Sequence, residues 1–213
     1  MFKGNYVEAR TLNDAWRDSL WCCMLNGYTQ VKQMGSYAGE KYKQLPYLTI
    51  RITDPGLKPV QYLTPQGIPA PTDETKILNY FYDYIINDTR QGNDYTYGHY
   101  ISNQYDTCMS ILRAGYGNQA TMRIGDPGSI NLEHPPCLTT VSFKIIENTL
   151  NMALTFRSWD LFGGLPENLG GLQLLKELIA YDLGLNDGEI IAFTDGGHVY
   201  GYVFDIVDQM CIL

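Results

Sequence analysis

The sequence predicts an α+β fold, because strand and helix signals alternate in it without a regular strand–helix–strand rhythm. Thr139, Val141, Phe143 and Ile145 alternate with Thr140, Ser142 and Lys144, and the alternation resumes after Glu147-Asn148 with Leu150, Met152, Leu154 and Phe156. A period of two in both runs reads as half-buried strands joined by a tight turn into an antiparallel hairpin. Helical patterns lie on either side, one opening near Thr11 and one running from Pro166 to Leu183.

The elements follow in order. Thr11-Leu12-Asn13-Asp14 has the form of a capping box, with Asp14 in place of the usual Glu or Gln. Ala15, Trp16, Leu20, Trp21 and Met24 then recur at helical spacing, and Gly27 sits where the helix would stop. Leu45 to Ile52 reads as a strand ended by Asp54-Pro55-Gly56. Residues 55–72 hold five prolines and read as loop, and Thr75 to Ile86 reads as a helix. Pro166 suits the first turn of the later helix, and Gly184 suits the position just past its end. Glu189 to Phe193 is a further strand. No repeat, low-complexity tract or linker interrupts the chain, so one domain spanning residues 1–213 is expected.

Hydrophobic residues make up 45% and charged residues 18%, as in an ordinary globular protein able to bury a core without disulfides. The net charge is −8 and no Lys/Arg-rich run occurs, which argues against a nucleic-acid partner but leaves room for a small phosphate ligand. No apolar run approaches the roughly 20 residues that span a bilayer. Met1 to Tyr6 lacks a signal-type apolar stretch, so a cytoplasmic protein without a membrane partner is expected. Five cysteines and no CxxC predict free thiols and no metal site.

Four short constellations carry candidate chemistry. His134-Pro135-Pro136-Cys137 sets a thiol at the mouth of a strand, either facing a cleft or packed as a small hydrophobe. Arg157-Ser158-Trp159-Asp160 follows the hairpin; Arg157 and Ser158 offer a phosphate clamp, or a strand end with a surface ion pair. Gly163-Gly164-Leu165-Pro166-Glu167-Asn168 lets backbone approach a ligand and presents an amide suited to a pyrimidine edge, or simply caps a helix. Asp195-Gly196-Gly197-His198-Val199-Tyr200 reads either as a tight turn before a core strand or as a segment with His198 and Tyr200 on one face.

In order and spacing these four motifs resemble the thymidylate synthase family, continuously from about Pro135 to Tyr202 and more weakly back to Tyr95-Thr96-Tyr97-Gly98. The block from Arg157 to Gly171 is most similar to the compact archaeal branch. The resemblance implies a thymidylate synthase-like large mixed β-sheet flanked by helices, with the sheet packed against its mate in a homodimer. It implies reductive methylation of dUMP to dTMP, using 5,10-methylene-tetrahydrofolate or a methylene-tetrahydromethanopterin-type carrier as co-substrate. By position, Cys137 would attack carbon 6 of the base. Arg157 would activate that thiol and bind phosphate with Ser158. Asn168 would read the base, His198 and Tyr200 would hold the deoxyribose hydroxyl, and Tyr97 would assist proton removal. Asp160 and Gly164 would face the pterin.

Some family features have weaker counterparts. Where partner-subunit arginines belong, the chain has Asn118-Gln119, with Arg113 and Arg123 nearby; the N-terminal region offers Lys32, Lys41 and Lys43. Glu74 is the nearest candidate for the family's catalytic glutamate, and the short segment after Tyr200 implies an altered closure. The alternatives are a pyrimidine deoxynucleotide hydroxymethylase acting on dUMP or dCMP and a nucleotide-binding homologue without catalysis. Asn168 argues for uracil, since the cytidylate-specific forms carry aspartate there. Leu138 and Ile146, on the hairpin face opposite Val141 and Phe143, and Ala153 between Met152 and Leu154 predict a sheet covered on both sides, the second cover being another subunit.

Overall fold

The computed structural model describes residues 5–33, 37–90, 92 and 94–211. Met1 to Gly4, at the start of the segment read above for a leader, lie outside them. Strands β1 (Tyr6–Ala9), β2 (Tyr28–Val31), β3 (Lys41–Ile52), β4 (Thr121–Arg123), β5 (Leu138–Ile146), β6 (Thr149–Phe156), β7 (Trp159–Asp160) and β8 (Asn186–Tyr200) form one eight-stranded sheet. Its order is β1-β3-β8-β6-β5-β4, with β2 added to β3 and β7 to β8. Parallel pairs (β1 with β3, β6 and β7 with β8) stand beside antiparallel ones, so the sheet is mixed. The α+β architecture expected from the sequence is thus present.

One face of this sheet is the core. The row Val7–Ile50–Ala192–Leu154–Val141–Met122 crosses six strands, and Ala9–Ile52–Ile190–Met152–Phe143 lies beside it; all these side chains are buried. Helices α1 (Leu12–Asn26) and α4 (Gly164–Leu183) cover them, with α5 (Phe204–Cys211) against α1. Burying a branched aliphatic side chain contributes about 1.5–3 kcal/mol, so this unbroken lattice holds the layers together. Helix α2 (Glu74–Tyr80) runs into a π-helical turn, Phe81–Ile86, which packs on α4 and on α3 (Tyr97–Arg113).

The local signals account for the ends. Thr11 and Asp14 form the expected capping box of α1. Glu147 and Asn148 have φ of 49° and 61°, the pair of positive angles that a two-residue type I′ hairpin turn requires. Gly184, with φ of 65°, ends α4 in a left-handed cap. Three expectations change. The helix expected over 75–86 widens at Phe81 into a π turn, a shape that strict helical spacing cannot announce. The strand expected over 189–193 runs on to Tyr200, so Asp195 to Tyr200 is strand and not a turn. It continues because β7 takes over from β6 as its neighbour, pairing Trp159 with Gly197 and Asp160 with His198. Leu138 lies on the core face, because a bulge between Leu138 and Thr140 turns it to the side of Val141.

The opposite face carries the rows Tyr6–Thr49–Phe193–Thr155–Thr140–Arg123 and Glu8–Arg51–Ile191–Ala153–Ser142–Thr121. Among the described residues no helix covers their middle. Sequence alternation did not reveal β1, β2, β4, α3 or α5. The short strands contain too few residues to establish a period. Among the described residues no helix is long and apolar enough to cross a membrane.

Candidate active site

Cys137 ends the Pro135-Pro136 loop immediately before β5. A regular hairpin closed at Glu147-Asn148 would set Cys137 opposite Ser158. The register pairs Thr140 with Thr155 but Leu138 with Phe156, and this bulge sets Cys137 opposite Arg157 instead. The Arg157 amide donates to the Cys137 carbonyl at 2.9 Å. The Arg157 Nε donates to Pro136 O at 2.9 Å, and its Nη2 donates to Pro135 O at 2.6 Å and lies 3.9 Å from Cys137 Sγ. The guanidinium thus clamps the loop and faces the thiol at once. It is not a free two-pronged fork, as the sequence suggested; Nη1 is the edge left for an outside anion. Ser158 is half-buried beside it.

The thiol stands between opposing influences. Burial pushes Cys137 up, the charges of Arg157 and then Lys32 pull it down, and Asp160 pushes it up again. Lys32, on the segment after β2, donates from Nζ to the Tyr200 hydroxyl at 2.9 Å. Its ammonium lies 5.2 Å from the Tyr200 ring centroid and 5.7 Å from that of Tyr37. Of the N-terminal lysines noted in the sequence, Lys32 reaches the site. Lys43 is turned to the Met24 carbonyl, and Lys41 is exposed at the start of β3.

Tyrosines wall one side. Tyr97 opens α3 behind the N-cap Thr96, and its buried hydroxyl accepts the Leu138 amide at 3.3 Å. The Tyr84 ring lies 5.0 Å from both Tyr80 and Tyr97, and Tyr95 lies 6.2 Å from Tyr97. Burial pushes all four phenols up, so each stays protonated at neutral pH. A Cβ at Gly98 would fall 2.2 Å from Asn87 O, so only glycine lets α3 start this close to the end of the π turn.

On the sheet side, the His198 and Tyr200 rings are 4.9 Å apart. His198 Nδ1 lies 3.2 Å from Gly196 O. A carbonyl only accepts, so Nδ1 carries the proton and Nε2 is the bare acceptor. Burial lowers His198 and raises neighbouring Asp160. Asp160 Oδ1 accepts from the amides of Phe162 at 3.0 Å and Gly163 at 3.3 Å, closing the turn into α4. A Cβ at Gly164 would meet Asp160 Cβ at 3.5 Å and Asn168 Oδ1 at 3.7 Å, ordinary contacts that the chain would tolerate.

Asn168, one turn into α4, is held at both ends. Trp159 Nε1 donates to its Oδ1 at 2.9 Å, and its Nδ2 donates to the Tyr80 hydroxyl at 2.8 Å. Tyr80 reaches it because α4 has no side chain at Gly171, where a Cβ would come within 2.8 Å of the Tyr80 ring. Glu74 does not join the site: it is exposed on the first turn of α2, with Oε1 accepting from Val60 N at 3.0 Å. Tyr80, Tyr84 and Trp159 had no role assigned from sequence, and Lys32 was not told apart there from Lys41 and Lys43. The i, i+4 spacing of Tyr80 and Tyr84 is the one sequence signal that could have placed them on a shared face. Among the described residues no group of three His, Cys, Asp or Glu side chains is placed to hold a metal ion.

Three comparisons bear on this arrangement. The family model described as thymidylate synthase matches residues 73–211. A relative from Methanococcoides burtonii, provisionally named a thymidylate synthase, is 25% identical over 97% of this chain and 94% of its own. A similarly named one from Methanosarcina barkeri is 26% identical over the same shares. Among solved structures, thermostable thymidylate synthase A from Bacillus subtilis superposes with a TM-score of 0.73 over 95% of this chain and 84% of its own, at 17% identity, a likeness of fold.

Proposed function

This chain belongs to the thymidylate synthase family, and from that membership we propose that it converts deoxyuridylate to thymidylate by reductive methylation. The observation that carries the reading is the meeting of Cys137 and Arg157 at 3.9 Å at the head of a bulged hairpin. Uracil is a poor carbon nucleophile. Addition of the Cys137 thiolate to carbon 6 moves electron density onto carbon 5, which then forms the new carbon–carbon bond. Loss of the carbon 5 proton breaks the one-carbon unit's bond to the donor nitrogen and leaves a methylene on carbon 5. Addition of hydride to that methylene carbon expels the Cys137 thiolate from carbon 6, restores the ring double bond and completes the methyl group. The reduced pterin supplies the one-carbon unit and the hydride.

The chain's own groups divide the remaining work. Arg157 and Lys32 oppose, but do not outweigh, the burial that raises Cys137, and both cations suit a phosphate, Arg157 through Nη1 with Ser158 alongside. His198 Nε2 accepts and the Tyr200 hydroxyl, already accepting from Lys32, donates; together they satisfy a deoxyribose hydroxyl. Tyr97 acts as a neutral phenol, so it assists proton removal by holding a water rather than as the base. Asn168 reads the pyrimidine edge. Asp160 keeps Oδ2 for the pterin. Gly164, whose smallness nothing among the described residues demands, leaves room for that ring.

The test is tritium release from carbon-5-labelled deoxyuridylate, with product identified by chromatography. The wild type should release tritium and yield thymidylate, and Cys137→Ser should lose activity on the order of 10⁴-fold while staying folded. Substantial turnover by Cys137→Ser would overturn the mechanism. A hydroxymethyl product, or tight nucleotide binding without release, would replace the function with one of the two alternatives.

We propose as well that the uncovered sheet face, centred on Phe193, Ile191 and Ala153, packs against a second copy in a two-fold homodimer. Arg123, at the rim of that face, would then approach the partner's phosphate site. Light scattering and mixing of Cys137→Ser with Arg123→Ala subunits test this. A fully active monomer at micromolar concentration would overturn it, and a dimer whose mixing restores no activity would remove the shared site alone.

A further inference from the structure

We infer that Trp159 is the positioning residue that sets which pyrimidine the site accepts, by locking the Asn168 amide in one of its two orientations. The inference rests on the proposal that the substrate is a uracil nucleotide read by Asn168. A carboxamide is nearly symmetric in shape, so a half-turn exchanges its carbonyl and its NH₂ at almost no steric cost. The exchange matters for recognition. The uracil edge offers a donor at position 3 and an acceptor at position 4. The cytosine edge offers an acceptor at position 3 and a donor at position 4. An asparagine that flips freely therefore fits either base, and discrimination by such an amide requires something that forbids the flip.

Trp159 meets that requirement and Tyr80 does not. The indole N–H has no acceptor capacity, so its 2.9 Å contact must be to the Asn168 oxygen. In the flipped state two donors would face each other in a buried place. A phenol hydroxyl both donates and accepts, so the Tyr80 oxygen, 2.8 Å from Asn168 Nδ2, serves either orientation. Only the tryptophan breaks the symmetry. Its own position is well held: 2% exposed, its ring stacks on Phe156 at 3.9 Å and 9°, and its backbone pairs with Gly197 of β8. With one lone pair given to Trp159 and one N–H given to Tyr80, Asn168 keeps one acceptor and one donor for the base.

The experiment compares deoxyuridylate with deoxycytidylate in wild type, Trp159→Phe and Tyr80→Phe, by Kd and by tritium release from carbon 5. Phenylalanine keeps the stack on Phe156 and removes the N–H. Trp159→Phe should lower the preference for deoxyuridylate roughly tenfold, chiefly by gaining deoxycytidylate, the size expected from one buried donor–acceptor contact. Tyr80→Phe should weaken both nucleotides together and keep the wild-type ratio. Should Trp159→Phe fold poorly by thermal melting, a benzothienylalanine at 159, which keeps the ring shape and replaces N–H by sulfur, supplies the same comparison. An unchanged ratio in the variant lacking the N–H, or a loss of the deoxyuridylate preference in Tyr80→Phe as large as in Trp159→Phe, would overturn the inference. A wild type that prefers deoxycytidylate, or binds neither, would instead overturn the substrate reading on which it rests.

Discussion

Cys137 and Asn168 are both half-buried and both hydrogen-bonded, yet their neighbours act on them by different means. Around Cys137 the contributions are charges of both signs set against burial. Around Asn168 they are neutral groups, an indole and a phenol, whose effect lies in which atom donates. Charge acts over several ångströms and changes with pH. Hydrogen-bond direction acts at contact and does not. On the proposed function, the Cys137 end should therefore answer to pH and to distant cations, and the Asn168 end to shape and donor placement.

The largest effect that tests this contrast is expected at Arg157. Arg157→Gln removes the nearer charge and the clamp on Pro135 and Pro136, and kcat/KM should fall on the order of 10²-fold. The reactive form is the thiolate, so the rate rises with pH as Cys137 ionises. Loss of a cation raises the thiol pKa further, and the rising limb must move to higher pH. A profile that drops in height without moving would deny Arg157 its electrostatic part. Lys32→Met should act in the same direction more weakly, about tenfold, because Lys32 comes after Arg157 among the influences on the thiol. Its limb shift should shrink in high salt. Trp159→Phe, at the other end, should leave the limb where it is. A displaced limb there would mean that the two ends are electrically coupled.

How much of this was legible in the sequence follows the same division. The hairpin, its turn and α4 were readable because each repeats a local period and ends in a residue suited to the end. The opposition of Cys137 and Arg157 was nearly readable. A plain count from the turn gives Ser158, and a one-residue bulge at Thr139 corrects it, which alternation cannot reveal. Lys32, Tyr80 and the Trp159–Asn168 contact depend on how β2, the π turn and β7 meet in space. No spacing in the chain encodes those meetings. Leu138 was misassigned to the outer face for the same reason: strict alternation ignores the bulge.

The smallest expected effect concerns Gly164, and it separates what the chain needs from what a ligand needs. Gly164 begins α4 with ordinary helical backbone, and an added methyl would meet Asp160 and Asn168 only at 3.5–3.7 Å. Nothing among the described residues opposes alanine, and glycine costs a helix about 0.5–1 kcal/mol relative to alanine, less at its first residue. Gly164→Ala should therefore leave the melting temperature unchanged or slightly raised. Deoxyuridylate affinity and the uracil preference should also stay as they are, because Trp159 still fixes Asn168. The methyl would intrude only on a ring stacked over the Gly163-Gly164 turn, so the KM for the reduced pterin should rise a few-fold, the size of about 1 kcal/mol of lost contact. Kinetics at saturating deoxyuridylate with the pterin varied measure it. An unchanged pterin KM would place that ring elsewhere in the cleft, and a drop in melting temperature would show that the chain itself needs this glycine.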